Sequence, residues 1–336
     1  MSRTVSVEVP LPYPIGTVNC FYIEDSSPAL IDTGVNSAAA LKALEAGIEK
    51  ESGALDRIRR VIITHGHIDH MGLAGLIADR TGADVFIHEW DERRLHIHSG
   101  GELDFARERF HVFFERGGIS KGQADEITEV MFFHLRHMNT LVADPKLLRG
   151  EEVFHFDSFD LHVVHTPGHT PGSVTLFDSS TGTAFTGDSL LEEITFNPAT
   201  DLTNPHIPKD FRRLKSYGES LEKMIRLPVR EVQPGHGAPY CNHRAAIERL
   251  LTFHEERSAH ICRILRSSRG SKGLTLCQIA EELFPSMIGL DLYYRVAAVE
   301  AHVEELAERG LVTYDRESVP YRCWCRNSNG WAPIAE

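Results

Sequence analysis

The sequence has no uninterrupted apolar run of the roughly 20 residues that a helix needs to cross a bilayer, so a helical membrane protein is not expected. Its start also lacks the basic residues followed by an apolar stretch that mark a secretory signal. Ser2 to Val9 alternates instead, as a half-buried strand does. Cysteine is scarce and scattered: Cys20, Cys241, Cys262, Cys277, Cys323 and Cys325, with only the last two close in sequence. One intervening residue is not zinc-finger spacing, and without a secretion signal the six read as reduced thiols of a cytoplasmic protein. Positive charge is short as well, with 35 Lys and Arg against 48 Asp and Glu, a net charge of −13. That balance works against long polyanions, whose binding depends on cations set against phosphates. The one concentrated basic patch is Arg263, Arg266, Arg269 and Lys272.

With 336 residues there is room for one large domain and a small one. Residues 4–9, 17–24 and 28–32 read as strands, separated by turns rich in Pro and Ser. Asn36 or Ser37 is placed to cap a helix beginning at Ala38. Further strands are expected at 60–63, 83–88, 153–156, 160–165, 173–177 and 183–186, and a helix from about Lys209 to Ile225. Such alternation predicts an α/β fold whose sheets are covered by helices on their outer faces.

The chemistry concentrates in Thr64-His65-Gly66-His67-Ile68-Asp69-His70. A β-branched run, Arg60 to Ile63, precedes it, and Met71 to Ala78 follows with helical apolar spacing. Three imidazoles and a carboxylate thus fall in the turn at a strand's end, and these are donors that borderline cations such as Zn²⁺ accept. A His-rich surface loop is the plainer reading and would suit one or two histidines. Four ligand-type residues in six positions, directly after a buried strand, favour a metal site.

This stretch resembles the signature of the metallo-β-lactamase superfamily, and four other stretches resemble that family's remaining motifs in the same order. They are Ala29 to Gly34, with Asp32; Val163 to Ser173, with His169; Ala184 to Ser189, with Asp188; and Gln233 to Gly237, with His236. The resemblance covers roughly residues 5–245. It implies a four-layer αββα sandwich with two metals, zinc by default and iron or manganese by acceptance, in the cleft between the sheets. It further implies that His65, His67 and His169 hold the first ion, that Asp69, His70 and His236 hold the second, and that Asp188 bridges them. Asp32 and Thr64 would fix imidazole tautomers. Asp69 and Asp188 are the expected catalytic carboxylates, with a hydroxide between the ions as nucleophile. One main class of zinc β-lactamases carries a cysteine where Asp188 stands, so the pattern looks closer to the glyoxalase II, lactonase and ribonuclease branches. His111, His134, His137, His162, His165 and His206 lie outside the motifs. Of these, His206 sits in a Pro-containing loop that could reach the cleft.

The expected organisation is a catalytic domain over 1–245, with a helical insert at about 91–148, and a tail over 246–336. The insert carries Phe105, Phe110, Phe113, Phe114, Phe132 and Phe133. These rings either pack the insert onto the main domain or form a lid over the metals. The tail reads as a long helix from Asn242, a linker at 269–273, two helices and a hairpin, which resembles a winged helix. Its second helix, from Tyr293, is acidic, which argues against DNA binding and for a structural, dimerising or cleft-lining role. The leading functional expectation is hydrolysis of an ester, thioester or lactone of a small acyl substrate. The alternative is a metal-dependent endoribonuclease acting on single-stranded RNA. A non-catalytic regulator and single-iron oxidative chemistry are lesser readings. A deep pocket lined by the insert would suit the first, and an open basic groove the second.

Overall fold

The computed structural model describes residues 2–50, 53–96, 101–193, 202, 204, 207–208, 210–268, 273–284, 286 and 289–325. The first sheet runs in sequence order through β1 (Arg3–Pro10), β2 (Thr17–Glu24), β3 (Ala29–Ile31), β4 (Arg60–Ile62), β5 (Asp84–His88) and β6 (Lys146–Leu148). The β1, β2 and β3 pairings are antiparallel, and β3 to β6 are parallel. The short strand β6 carries no sequence signal of its own. The second sheet holds β7 (Val153–His155), β8 (Asp160–His165), β9 (Val174–Asp178), β10 (Thr183–Gly187) and β11 (Glu231–Pro234) in the order β11-β10-β9-β8-β7. Only its β10–β11 pair is parallel.

The two sheets face each other across one apolar layer, with Phe21, Ile31 and Ile62 against Val163, Leu176 and Phe185. Strand β2 is buried over six consecutive residues, because both of its faces are covered. On the outer face of the first sheet lie α1 (Ala38–Lys50), α2 (Ile68–Met71) and α3 (Ala74–Thr81), with Leu44, Ile48 and Ile77 pointing inward. Ser37, one of the two candidate caps, accepts the Ala40 amide at the start of α1 (3.1 Å). The apolar run expected to form one helix from Met71 is split at Gly72. A Cβ there would meet the carbonyls of Ile68 and Met138 at 2.5 and 2.6 Å. The second sheet is covered by α6 (Arg213–Arg226) and the first half of α7 (His243–Ser267), through Tyr217, Leu221, Ile247 and Leu250. The result is the expected four-layer αββα arrangement.

The insert forms α4 (Gly101–Gly117) and α5 (Lys121–His137), and the tail continues through α8 (Leu276–Leu283), α9 (Leu290–Glu308) and the hairpin of β12 (Val312–Asp315) and β13 (Arg322–Cys325). Insert and tail share one core: Phe110, Phe114 and Phe132 pack with Ile261, Tyr293 and Val296. The Tyr293 ring lies 5.5 Å from Phe110 and 6.1 Å from Phe114. The reading in which these rings fix the insert to the main domain is corrected accordingly. Each part presents an apolar face, and they cover one another although the 97 residues 149–245 lie between them. Phe133 stays 56% exposed and takes no part in that core. Buried Arg213 of α6 ties the tail to the second sheet's helix layer, donating to Glu300 (2.8 Å) and Glu304 (3.0 Å) of α9. Among the described residues no helix is long and apolar enough to cross a membrane.

Candidate metal centre

The seven expected ligands come from strand ends that meet at one edge of the two sheets. His65, His67, Asp69 and His70 follow β4, His169 lies in the β8–β9 loop, Asp188 follows β10 and His236 follows β11. Parallel pairing of β3 with β4 and of β10 with β11 points their C-terminal ends the same way, which is where open α/β sheets assemble sites. Two positions there admit only glycine. At Gly187, with φ +48°, a Cβ would fall 2.5 Å from Thr64 Oγ1, and at Gly235 one would fall 2.5 Å from Asp188 Oδ1.

The donors separate into two groups: His65, His67, His169 and Asp188, and then Asp69, His70 and His236. In the first, His67 Nδ1 lies 3.0 Å from His65 Nε2 and 2.9 Å from His169 Nε2. One proton on His67 Nδ1 can serve only one of those nitrogens well, whereas a cation among them serves all three. Nitrogens at about 2.05 Å from a tetrahedral ion lie roughly 3.3 Å apart, close to this spacing. Asp188 spans both groups. Its Oδ2 is 3.5 Å from His169 Nε2 and 3.9 Å from His65 Nε2, and its Oδ1 is 3.4 Å from His70 Nε2 and 3.6 Å from His236 Nε2. Asp69 Oδ2 closes the second group, 3.5 Å from His236 Nε2 and 3.9 Å from His70 Nε2. His70 Nε2 and Asp188 Oδ1 are buried without a hydrogen bond. A buried polar atom in that condition is costly unless something else satisfies it, and a bound cation would.

Charge differs between the groups. Burial together with the neighbouring imidazoles holds His65 and His67 well below the usual histidine range, and burial takes His169 down to about 4. These three rings are therefore neutral, with nitrogen lone pairs available. Burial also opposes charge on His70 and His236, yet Asp188, helped by Asp32 and Asp69 around His70, outweighs it. His70 is raised well above its ordinary value and His236 to about 9. Asp69 is held down to about 2 and Asp188 well below the usual carboxylate range, because His70 and His236 overcome the cost of burial. The second group thus carries excess negative charge that protons offset when no cation does.

Partners behind the donors fix which nitrogen faces the site. Asp32 Oδ2 accepts from His70 Nδ1 (2.7 Å) and from the Thr64 hydroxyl (2.8 Å), while Oδ1 accepts the Thr64 amide (2.8 Å). Asp32 adopts φ +56°, a backbone state that short polar residues tolerate best. His236 Nδ1 donates to the Thr17 carbonyl at 2.6 Å. In both rings Nε2 is left facing the cluster.

Two supporting residues were not found by sequence reasoning. Asp91 is fully buried, and its carboxylate accepts from the Gly66 amide (2.7 Å), the Thr170 hydroxyl (2.5 Å) and the Gly172 amide (2.9 Å). It therefore joins the loop carrying His65 and His67 to the loop carrying His169. Asn19 of β2 donates to the carbonyls of Pro234 (2.9 Å) and Gly237 (2.8 Å), bracketing His236. The available signal was positional, since Asp91 follows a parallel strand at the same edge. Of the other histidines, His165 stacks on His88 (3.9 Å) and bonds the Pro171 carbonyl (2.8 Å), and neither it nor His111, His134, His137 or His162 joins a donor group. His206 lies outside the described residues.

A sequence profile of the Metallo-beta-lactamase superfamily matches residues 13–236. The probable metallo-hydrolase YqjP of Bacillus subtilis is 25% identical, over 92% of this chain and 94% of its own. The hydroxyacylglutathione hydrolase GloC of Haemophilus influenzae is 26% identical, over 52% of this chain and 67% of its own. Among solved structures, the metallo-beta-lactamase family protein TTHA1429 of Thermus thermophilus superposes with a TM-score of 0.80 at 26% identity, covering 96% of this chain and 98% of that one.

Proposed function

The chain belongs to the metallo-beta-lactamase superfamily as a metal-dependent hydrolase, and on that premise we propose that it opens an ester, thioester or lactone of a small acyl substrate with two zinc ions. The observation that carries this reading is the pair of donor groups joined by the two oxygens of Asp188. One ion would be held by His65, His67, His169 and Asp188, and the other by Asp69, His70, His236 and the same Asp188. Donors of nitrogen and oxygen without thiolate suit zinc, and they also accept iron or manganese. Such ions, when bound, bring the pKa of water down to about 7 and polarise a carbonyl.

The chain's own residues have defined parts in this reading. Asp69 is the ligand-group carboxylate with the most solvent access, 19% of its side chain, and it is held ionised. It can orient a water by accepting a hydrogen bond from it. Asp32 and the Thr17 carbonyl keep Nε2 of His70 and His236 turned to the site. The relative GloC, by its name, acts on an acylated thiol, which supports a substrate of that class here. A cytoplasmic setting fits reduced cysteines, and none of the six is in a disulfide.

Endoribonuclease action is the rival. It draws on the order helix, helix, hairpin in the tail and on a basic patch of which Arg263 and Arg266 lie on α7, while Arg269 and Lys272 fall outside the described residues. The test offers zinc-loaded protein a thioester, a lactone and single-stranded RNA. Turnover of the thioester or lactone, abolished in His67→Ala, is expected. Cleavage of RNA with both small substrates inert would overturn the proposal.

A further inference from the structure

A cleft of about 640 Å³ opens between the insert, the tail and the metal-bearing loops, a size typical of ligand sites. One wall is Pro171, two residues beyond His169, and so at most about 7 Å of chain from that ligand's Cα. The lining also includes a single stripe of α4, Phe105, Glu108, Arg109, Val112, Phe113 and Arg116, spaced as one helical face is. The helix is anchored by a different stripe, Leu103, Ala106, Phe110 and Phe114. Phe105 and Val112 are each 36% exposed, so the stripe offers apolar surface that the fold does not use.

The charges in the cleft are not all balanced. Arg213 is committed to Glu300 and Glu304, and Arg316 also bonds Glu304. Arg109 lies over the Phe105 ring (5.6 Å), and Arg116 lies over the Tyr321 ring (5.5 Å) while donating to its hydroxyl (2.9 Å). Neither guanidinium has a carboxylate partner among the described residues, in a chain with 13 more carboxylates than cations (48 against 35). Glu108 on the same stripe pairs with neither among the described residues, and with Arg213 and Arg316 set against Glu300 and Glu304, the cleft and its rim carry a net single positive charge. Beyond the one donor that Arg116 gives to Tyr321, a guanidinium offers a planar fork of donors that matches a planar anion. One surplus charge suits a carboxylate better than a phosphate dianion.

We propose that this cleft receives the part of the substrate remote from the cleaved bond, and that Arg109 and Arg116 select an apolar chain ending in a carboxylate. The proposal rests on the hydrolase reading above, and its test keeps the two separable. Matched N-acetylcysteamine thioesters, octanoyl against suberoyl, differ in the terminal carboxylate. The zinc-loaded protein should favour suberoyl at least tenfold in kcat/KM. In Arg109→Ser, and more fully in Arg109→Ser/Arg116→Ser, that ratio should fall toward one, with an unchanged near-ultraviolet dichroism spectrum as the check on folding. A wild-type preference for octanoyl, or a suberoyl preference that survives the double variant, overturns the proposal. Should neither thioester turn over, the thioester reading fails, and calorimetric titration with suberate tests the cleft by itself. Suberate bound by wild type and lost in the double variant upholds the cleft, and no binding to wild type sinks it.

Discussion

Removing Asp91 tests whether the two metal-bearing loops are held together as the geometry indicates. Asp91→Ala strips the acceptor from two buried amides, Gly66 and Gly172, and from the Thr170 hydroxyl. Each buried donor left unsatisfied costs roughly 1–3 kcal/mol. Part of that is offset because a carboxylate is no longer buried, so the net loss should be about 4 kcal/mol. At ~2–4 °C per kcal/mol for a domain of this size, the metal-free protein should melt about 10 °C lower. The ligands carried by those loops should also bind metal more weakly, by ~10–100-fold, the usual effect of losing a group that orients ligands. Asp91→Asn should recover little, since its amide nitrogen must face a donor in either orientation. The assays are calorimetric melting of the metal-free chain and competition for metal against a chromogenic chelator. A melting point within about 2 °C of wild type, with an unchanged competition curve, would refute the reasoning.

Three further outcomes are expected. Because His236 is raised to about 9 and His70 well above its usual value, both hold protons at neutral pH in the metal-free protein, and a cation must displace them. Affinity at the second group should therefore rise from pH 7 through about 9, with protons released at pH 7. Calorimetry in buffers of different ionisation enthalpy reads this, and zero release would contradict it. Phe114→Ala, at a fully buried ring, should cost roughly 3–5 kcal/mol, whereas Phe133→Ala, at an exposed one, should stay within about 0.5 kcal/mol. Denaturant melts showing equal losses would argue against the shared core of insert and tail. Turnover of a neutral ester should change little with ionic strength, since only polyanion binding carries a slope of about −0.7 per phosphate contact on single strands. A steep salt dependence of hydrolysis would point to a charged polymer as substrate.

What the sequence disclosed followed from how locally each signal was written. His65, His67, Asp69 and His70 share one turn after a β-branched strand, so their convergence could be read within a few residues. His169, Asp188 and His236 were found only through resemblance, because their meeting depends on which strands pair. Asp91 and Asn19 act through hydrogen bonds to loops 25 to 218 residues away. A lone aspartate or asparagine gives no pattern from which that could be inferred. The same holds for the insert, where helical spacing revealed an apolar face on α4 and α5 but not its partner. Of the six phenylalanines, Phe110, Phe113, Phe114 and Phe132 went into the core shared with the tail, and Phe105 and Phe113 line the cleft. Phe113 does both, so the set divides between packing against the tail and lining the cleft.

Metal content measured by elemental mass spectrometry tests most directly whether two ions are shared through Asp188. Protein loaded with zinc and passed through a desalting column should carry two ions per chain, and His236→Ala should carry one. His65→Ala/His236→Ala should carry none. One ion or fewer in the wild type, or two retained in His236→Ala, would contradict the paired centre.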